Sequence, residues 1–390
     1  MNNAGDPFPG GFGLYIHWPF CVSKCPYCDF NSHVADTVDD AAWQRSLLAE
    51  LDHYGIKTKG RRLDSVFFGG GTPSLMPPAI VAALLDKLSD YWSVPTDLEV
   101  TLEANPSSIE AQKFADFRAA GVNRVSVGIQ SFDDAALKFL GRVHSAAEAS
   151  KAITVAERSF DRVSFDLIYA LPGQSRDAWA SELAQALARG TGHLSLYQLT
   201  IEKGTPFYAD HRRGFFALPE EDLAADLYEL TGEMMSKAGF GAYEVSNYAR
   251  SGQESRHNLV YWRGGDYIGV GPGAHGRLTL DAARLRTEQV PAPAGWLQAV
   301  AQDGHATRVY ERVAPMEQAE EYLMMGLRLA EGIDRAQFAQ IVGRPLEDCI
   351  DGAKVTALSD AGLLETDMRG LRATGAGIQR LNMIIAAISL

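Results

Sequence analysis

The sequence contains no apolar run of the ~20 residues that a membrane-spanning helix requires. Its apolar stretches, such as Met383–Ile388, are much shorter. Residues 1–10 also lack the basic and apolar segments of a secretory signal. These absences predict a cytoplasmic protein without a transmembrane segment.

Positive charge is in deficit as well. The chain has 36 Lys and Arg against 49 Asp and Glu, which gives a net charge of −13. Such a balance repels phosphate backbones and anionic lipid surfaces, so we predict no nucleic-acid binding. What the chain does have is size: 390 residues, 46% of them hydrophobic, exceed one average domain and can bury a sizeable core.

Cysteine is scarce, and its spacing excludes a disulfide framework. In a reducing compartment clustered thiols are available as metal ligands. A zinc site completed by His17 or His33 and an iron–sulfur cluster fit the spacing equally well. In a four-iron cluster, three protein thiolates would leave one iron open to an external ligand. The cysteines are Cys21, Cys25, Cys28 and Cys349, the last predicted to be a buried helix residue.

Short β-branched or aromatic runs alternate with helical patterns over the first 240 residues. Six βα repeats predict an α/β protein, and chemistry-bearing residues at the ends of successive strands favour a partial (β/α)6 TIM-like barrel over a doubly wound sheet. The predicted strands are Leu14–His17, Ser65–Phe68, Glu99–Leu102, Arg124–Ile129, Val163–Ile168 and Leu194–Leu199. The predicted helices are Ala41–Tyr54, Pro78–Tyr91, Ser108–Ala119, Ser145–Arg158, Asp177–Arg189 and Pro219–Ala238.

The rest of the chain changes character twice. We predict a barrel core over residues 1–240, an aromatic and glycine-rich segment over 241–305, and a helical domain over 306–390. Helices followed by a hairpin around Leu363–Ala373 indicate a winged-helix-like module, a shape often associated with DNA. From Arg312 onward, however, 8 basic residues face 11 acidic ones, which favours a cap or docking role.

Polar residues recur where predicted strands end. The run Gly69–Pro73 follows the second strand, and consecutive glycines let a ligand approach the backbone closely. Glu103, Gln130 and Asp166 lie at or near the ends of later strands, where an unpaired buried carboxylate is costly. The guanidinium of Arg142 can bind a carboxylate through two hydrogen bonds. Together these residues predict a pocket for a zwitterionic small molecule.

The cysteine loop and the Gly-Gly-Gly-Thr-Pro run together resemble the radical S-adenosylmethionine (SAM) superfamily. More narrowly, six segments resemble the oxygen-independent coproporphyrinogen III oxidase group. They are Tyr15–Cys21, Phe67–Ser74, Glu103–Pro106, Ser126–Phe132, Leu140–His144 and Asp166–Gln174.

That resemblance implies two cofactors. Cys21, Cys25 and Cys28 would ligate a [4Fe-4S] cluster whose fourth iron is chelated by SAM. The residues matching the family positions that hold SAM are Tyr15, Gly70, Gly71, Thr72, Glu103, Gln130, Arg142 and Asp166.

Two departures separate the chain from the oxidases it resembles. The oxidases carry a further cysteine where this chain has Phe30, and an extension before the first strand, whereas 13 residues precede Leu14 here. The segment His257–Trp262 instead matches a His-Asn-x-x-Tyr-Trp motif of related heme chaperones. His257, Tyr261 and Trp262 are therefore candidate heme-binding residues, although a histidine in an aromatic stretch is more often a core residue.

The resemblance thus implies a heme chaperone that carries a SAM-coordinated cluster and delivers heme to acceptor hemoproteins, such as membrane respiratory enzymes, and that can form a homodimer. The alternative is an enzyme, a radical SAM coproporphyrinogen III oxidase of porphyrin biosynthesis. A zinc-bearing structural protein would leave the glycine run and Arg142 unexplained.

Overall fold

The computed structural model describes residues 9–107 and 112–390. All six predicted barrel strands are confirmed, and each pairs in parallel with the next in chain order. The first eight strands are β1 (Phe12–Trp18), β2 (Phe20–Cys21), β3 (His33–Val34), β4 (Ser65–Gly70), β5 (Glu99–Ala104), β6 (Arg124–Gln130), β7 (Arg162–Tyr169) and β8 (His193–Gln198).

Helices connect these strands, as the alternation predicts. Local side chains begin several of them: Ser145 and Glu148 form a reciprocal capping box at one N-terminus, for example. Residues 108–111 of the helix predicted from Ser108 lie outside the described residues, and its later part contains the helix Phe114–Ala119. The helices are α1 (Asp40–Lys57), α2 (Pro78–Asp86), α3 (Phe114–Ala119), α4 (Asp134–Phe139), α5 (Ala146–Ser159), α6 (Arg176–Leu187), α7 (Pro206–Arg212) and α8 (Glu221–Lys237).

The segment after α8 extends the same sheet at both edges. Its strand Asp266–Val270 (β11) pairs in parallel with β1, while Asn247–Ala249 (β10) pairs antiparallel with β8. The result is a twelve-stranded sheet in the order β14-β13-β12-β11-β1-β4-β5-β6-β7-β8-β10-β9. The added elements are β9 (Gly241–Ala242), β10 (Asn247–Ala249), α9 (Arg256–Trp262), β11 (Asp266–Val270), β12 (His275–Leu280), β13 (Ala283–Gln289), α10 (Pro293–Asp303) and β14 (Thr307–Arg312).

The C-terminal residues have a hydrophobic cluster of their own, which includes Cys349. The hairpin predicted around Leu363–Ala373 is confirmed as two of the three strands of a small sheet, ordered β15-β17-β16. The elements are α11 (Pro315–Gly326), β15 (Ile333–Asp334), α12 (Arg335–Val342), α13 (Gly352–Asp360), β16 (Leu364–Thr366), β17 (Gly370–Ala373), α14 (Gly375–Ile378) and α15 (Leu381–Ile388). Within the described ranges, no helix is long and apolar enough to cross a bilayer.

Candidate functional site

The three clustered cysteines lie beyond the carboxyl end of β1, where barrel strands present their chemistry. Cys21 ends the short strand β2, and the backbone N–H of Cys28 donates to the carbonyl of Cys25 at 3.1 Å. This turn brings the thiols to the wall of one pocket. All three are partly exposed, so they can reach a bound group.

Two neighbouring side chains donate hydrogen bonds to the sulfur atoms of the cysteines. The hydroxyl of Thr72 donates to Sγ of Cys21 at 3.3 Å, and the guanidinium of Arg142 donates to Sγ of Cys25 at 3.4 Å. Burial raises the pKa of the Cys21 thiol, and the Thr72 hydrogen bond opposes that rise. Donors of this kind stabilise thiolates, which are the form that binds a metal centre.

The zinc alternative finds no support in the geometry. Across residues 9–107 and 112–390, no three His, Cys, Asp or Glu side chains converge closely enough for a single ion. Both ring nitrogens of His17 are already hydrogen-bonded, to the Tyr15 hydroxyl at 3.0 Å and the Asn31 carbonyl at 2.9 Å. His33 Nε2 lies 3.0 Å from the side-chain oxygen of Asn31. Three thiols around a pocket, without a converging histidine, fit a multi-atom cluster better than one ion.

The glycine run after β4 is hydrogen-bonded to the cysteine segment. The N–H of Gly71 donates to the Trp18 carbonyl at 2.7 Å, and the N–H of Thr72 donates to the Phe20 carbonyl at 2.8 Å. Gly70 has a φ of +114°, a backbone conformation that residues other than glycine rarely adopt. A Cβ at this position would lie 2.6 Å from the His17 ring. The run therefore needs glycine for its own conformation, beyond any tight turn.

Substituting Gly70 tests that requirement. Gly70→Ala is expected to lower the free energy of unfolding by at least ~1–3 kcal/mol, because it combines a disfavoured φ with a clash. It should also weaken SAM binding, as measured by calorimetry on the reconstituted protein. Gly232→Ala in α8, where a Cβ meets nothing within 4 Å, is the matched control. The control should be neutral or stabilising by ~0.5–1 kcal/mol; equal destabilisation by both changes would contradict the interpretation.

Glu103 and Asp166, the two acidic residues predicted for the pocket, both line its wall. Burial, and secondarily the neighbouring Asp166, raises the pKa of Glu103 to about 8. Burial also raises the pKa of Asp166 to about 6, although the Ser126 hydroxyl donates to that carboxylate at 3.1 Å. A cationic ligand group would favour the ionised form of both. Gln130, on the same wall, has a φ of +70°, a strained backbone of the kind found at functional sites.

Arg142 connects this wall to the cysteines through Asn105, a residue that the sequence analysis missed. The Arg142 guanidinium donates to Oδ1 of Asn105 at 2.6 Å, and Nδ2 of Asn105 donates to the Thr72 hydroxyl at 3.0 Å. The buried Nε of Arg142 has no hydrogen-bond partner within the described structure, and the residue lines the pocket. Asn105 belongs to the segment Glu103–Pro106 that resembles the oxidase group. Its position directly after a strand is the sequence feature that could have identified it as a pocket residue.

Tyr15 is not among the residues that line this pocket, and its role in holding SAM stays a prediction. Its hydroxyl is hydrogen-bonded to His17, and its ring centroid lies 6.3 Å from those of both Phe67 and His257, which stack on each other at 4.9 Å. Its ring nevertheless lies beside the glycine run, since a Cβ added to Gly69 would be 2.8 Å from Cε2 of Tyr15. The other predicted SAM residues all line the pocket: Gly70, Gly71, Thr72, Glu103, Gln130, Arg142 and Asp166.

His257 is also not placed as an iron ligand in this conformation. Its side chain is 1% exposed, Nδ1 lies 2.9 Å from the Ser65 hydroxyl, and Nε2 lies 2.8 Å from the Tyr261 hydroxyl. Burial lowers the pKa of His257 to about 3, which keeps the ring neutral. With both nitrogens engaged, His257 positions Tyr261, whereas Tyr261 and Trp262 themselves line a separate large cavity.

Comparison with known proteins agrees with this geometry. Residues 15–186 match the radical SAM superfamily model, and residues 313–380 match the HemN C-terminal domain. The chain is 42% identical to the mitochondrial radical S-adenosyl methionine domain-containing protein 1 of Bos taurus, over 98% of this chain and 89% of that protein. It is 40% identical to the heme chaperone HemW of Escherichia coli, over 85% of this chain and 86% of that protein.

A solved structure shares the fold. Coproporphyrinogen III oxidase HemN from Escherichia coli superposes with a TM-score of 0.79 at 22% identity, covering 98% of this chain and 91% of that one. At that identity the likeness establishes architecture alone. Radical SAM architecture implies SAM and a [4Fe-4S] cluster as cofactors.

Proposed function

The chain belongs to the radical SAM family that contains HemW and radical S-adenosyl methionine domain-containing protein 1, and from this premise we propose that it is a heme chaperone. It binds heme and delivers it to acceptor hemoproteins, among them membrane respiratory enzymes, in the cytoplasm. The observation that carries the proposal is the 40% identity to a heme chaperone over 85% of the chain. A homodimer is part of the same proposal.

The cofactor pocket supports the radical SAM part of this proposal residue by residue. Cys21, Cys25 and Cys28 would hold the cluster, because they are the thiols that share the pocket. When bound, a cluster of this type supplies an electron for reductive cleavage of SAM. The guanidinium of Arg142, which lines the pocket, would bind the carboxylate of the methionine moiety.

The acidic wall would bind the other polar groups of SAM. With a pKa of about 8, Glu103 is largely protonated at neutral pH in the free protein, and a bound ammonium group draws it toward the carboxylate. Asp166, held by the Ser126 hydroxyl, is placed to accept from an amino or ribose hydroxyl group. Ser126 is a second pocket residue that the sequence analysis did not select.

Phe30 is the position that argues against oxidase activity. It lines the cofactor pocket, and its side chain is 61% exposed. The oxidases that the sequence resembles have a cysteine at this position. A phenyl ring offers neither a thiolate nor a proton, so chemistry that depends on that thiol has no substitute here.

One sample can separate chaperone from oxidase. We expect the anaerobically reconstituted full chain to bind heme stoichiometrically in a Soret titration and to transfer it to an apo-hemoprotein. The same sample should leave coproporphyrinogen III unconverted in the presence of SAM and a reductant. Escherichia coli HemN serves as the positive control for turnover. Formation of protoporphyrinogen, or the absence of heme binding, would overturn the proposal.

A further inference from the structure

A path of hydrogen bonds through three side chains connects two of the clustered cysteines. Asn105 is at its centre: Oδ1 accepts from the guanidinium of Arg142 at 2.6 Å, and Nδ2 donates to the Thr72 hydroxyl at 3.0 Å. Thr72 in turn donates to Sγ of Cys21 at 3.3 Å, and Arg142 donates to Sγ of Cys25 at 3.4 Å. We call these three side chains, Thr72, Asn105 and Arg142, the amide relay.

The ends of neighbouring parallel strands place the amide relay. Thr72 follows β4, and Asn105 directly follows β5. Because a proline disfavours the helical conformation for the residue before it, Pro106 keeps the backbone of Asn105 extended at the strand end. The carbonyl of Gly128, in β6, accepts from the Arg142 guanidinium at 2.9 Å. The guanidinium is therefore held by groups from two adjacent strand ends.

The chemistry of the three side chains fixes the direction of each hydrogen bond. An arginine side chain can only donate, so the amide oxygen of Asn105 accepts from it and the amide nitrogen faces Thr72. Because the Thr72 oxygen receives that hydrogen bond, its own hydrogen is directed to Sγ of Cys21. A carboxylate in place of the amide would accept at both ends, and the Thr72 hydroxyl would then donate to it instead of to sulfur.

We propose that Asn105 is a positioning residue that, through Thr72 and Arg142, sets the reduction potential of the cluster and orients Arg142 for the carboxylate of SAM. Hydrogen bonds to the sulfur ligands raise the reduction potential of an iron–sulfur cluster, because they stabilise its more negative, reduced state. The amide relay supplies one such bond to each of two cysteines. This inference rests on the radical SAM part of the proposed function and does not depend on heme binding.

Substitution of the amide in the full-length, anaerobically reconstituted chain tests the proposal. Asn105→Asp is expected to shift the reduction potential to a more negative value in a redox titration followed by electron paramagnetic resonance. It should also weaken SAM binding at least tenfold in calorimetry, because the new carboxylate pairs with Arg142 in place of the ligand. Asn105→Ala adds no charge and should still lower the potential, which separates hydrogen bonding from charge. Asn382→Asp, at an exposed residue that does not line the pocket, is the matched control and should change neither property.

A double-mutant cycle determines whether Asn105 acts through Thr72. Thr72→Val keeps the shape of the side chain, removes the hydroxyl that donates to Cys21, and should lower the potential by itself. In the Thr72→Val background, Asn105→Ala should lower the potential by less than it does alone, because the donor to Cys21 is already missing. Full additivity of the two shifts would overturn the amide relay.

The possible outcomes separate this inference from the function on which it rests. Absence of a cluster from the unmodified reconstituted chain would overturn the radical SAM assignment and the inference with it. Normal cluster content with unchanged potential and SAM affinity in both Asn105 variants would overturn the inference and leave the function standing. If Asn105→Asp does not retain a cluster, Asn105→Ala and Thr72→Val decide through the same two measurements. More negative potentials beside an unchanged Asn382→Asp support the inference.

Discussion

Replacing Cys21, Cys25 or Cys28 with serine is expected to eliminate the iron–sulfur cluster. Each thiol lines the same pocket, and the only other cysteine of the sequence, Cys349, lies in the C-terminal hydrophobic cluster. With one ligand removed, two protein thiolates remain, too few to hold a four-iron cluster in an open pocket. Iron and acid-labile sulfide per chain, together with the visible absorbance after anaerobic reconstitution, should fall to background.

The fourth cysteine provides the control. Cys349→Ala removes a side chain that is 1% exposed, so its effect should be confined to packing in the C-terminal cluster. We expect this variant to retain full iron and sulfide content. Loss of iron from Cys349→Ala, or retention of stoichiometric zinc by Cys25→Ser without sulfide, would contradict the assignment of the metal centre.

The cofactor pocket could largely be predicted from the sequence, because its parts follow from local rules. Parallel strands place their carboxyl ends at one side of the sheet, so Glu103, Gln130 and Asp166 converge once the strands are identified. The glycine run can be recognised in the sequence from its consecutive glycines alone.

Contacts between distant parts of the chain cannot be predicted from the local pattern of hydrophobic and polar residues. The composition after α8 predicts a separate aromatic segment, yet β11 pairs with β1 across more than 250 residues of chain. Asn31 similarly donates to the carbonyls of Pro272 and Pro291, both at 2.9 Å. The orientation of His257 depends on Ser65, 192 residues away. Periodicity reports which residues are buried, but not which buried partners meet.

Glu99 makes contacts of this long-range kind. Neutralising its carboxylate is the second change that we expect to have a large effect, here on the free energy of unfolding. Its carboxylate is fully buried at the start of β5 and lies 2.8 Å from Arg162 and 3.3 Å from Arg124. It also accepts from the backbone N–H of His257 at 3.2 Å, which fixes the first turn of α9. Glu99→Gln keeps the shape but leaves the two guanidinium groups without a counter-charge. The free energy of unfolding should fall by ~3–5 kcal/mol, as measured by denaturant titration.

The matched control is Asp161→Asn, which neutralises the exposed partner of Arg118. That pair, with side chains 82% and 44% exposed, should contribute at most ~1 kcal/mol. Because α9 carries Tyr261 and Trp262, two of the predicted heme-binding residues, Glu99→Gln should also weaken heme binding, while Asp161→Asn leaves it intact. The cysteine pocket does not include Glu99, so cluster content should survive in the folded fraction of both variants. Equal stability of the two variants would show that the buried network does not hold α9 in place.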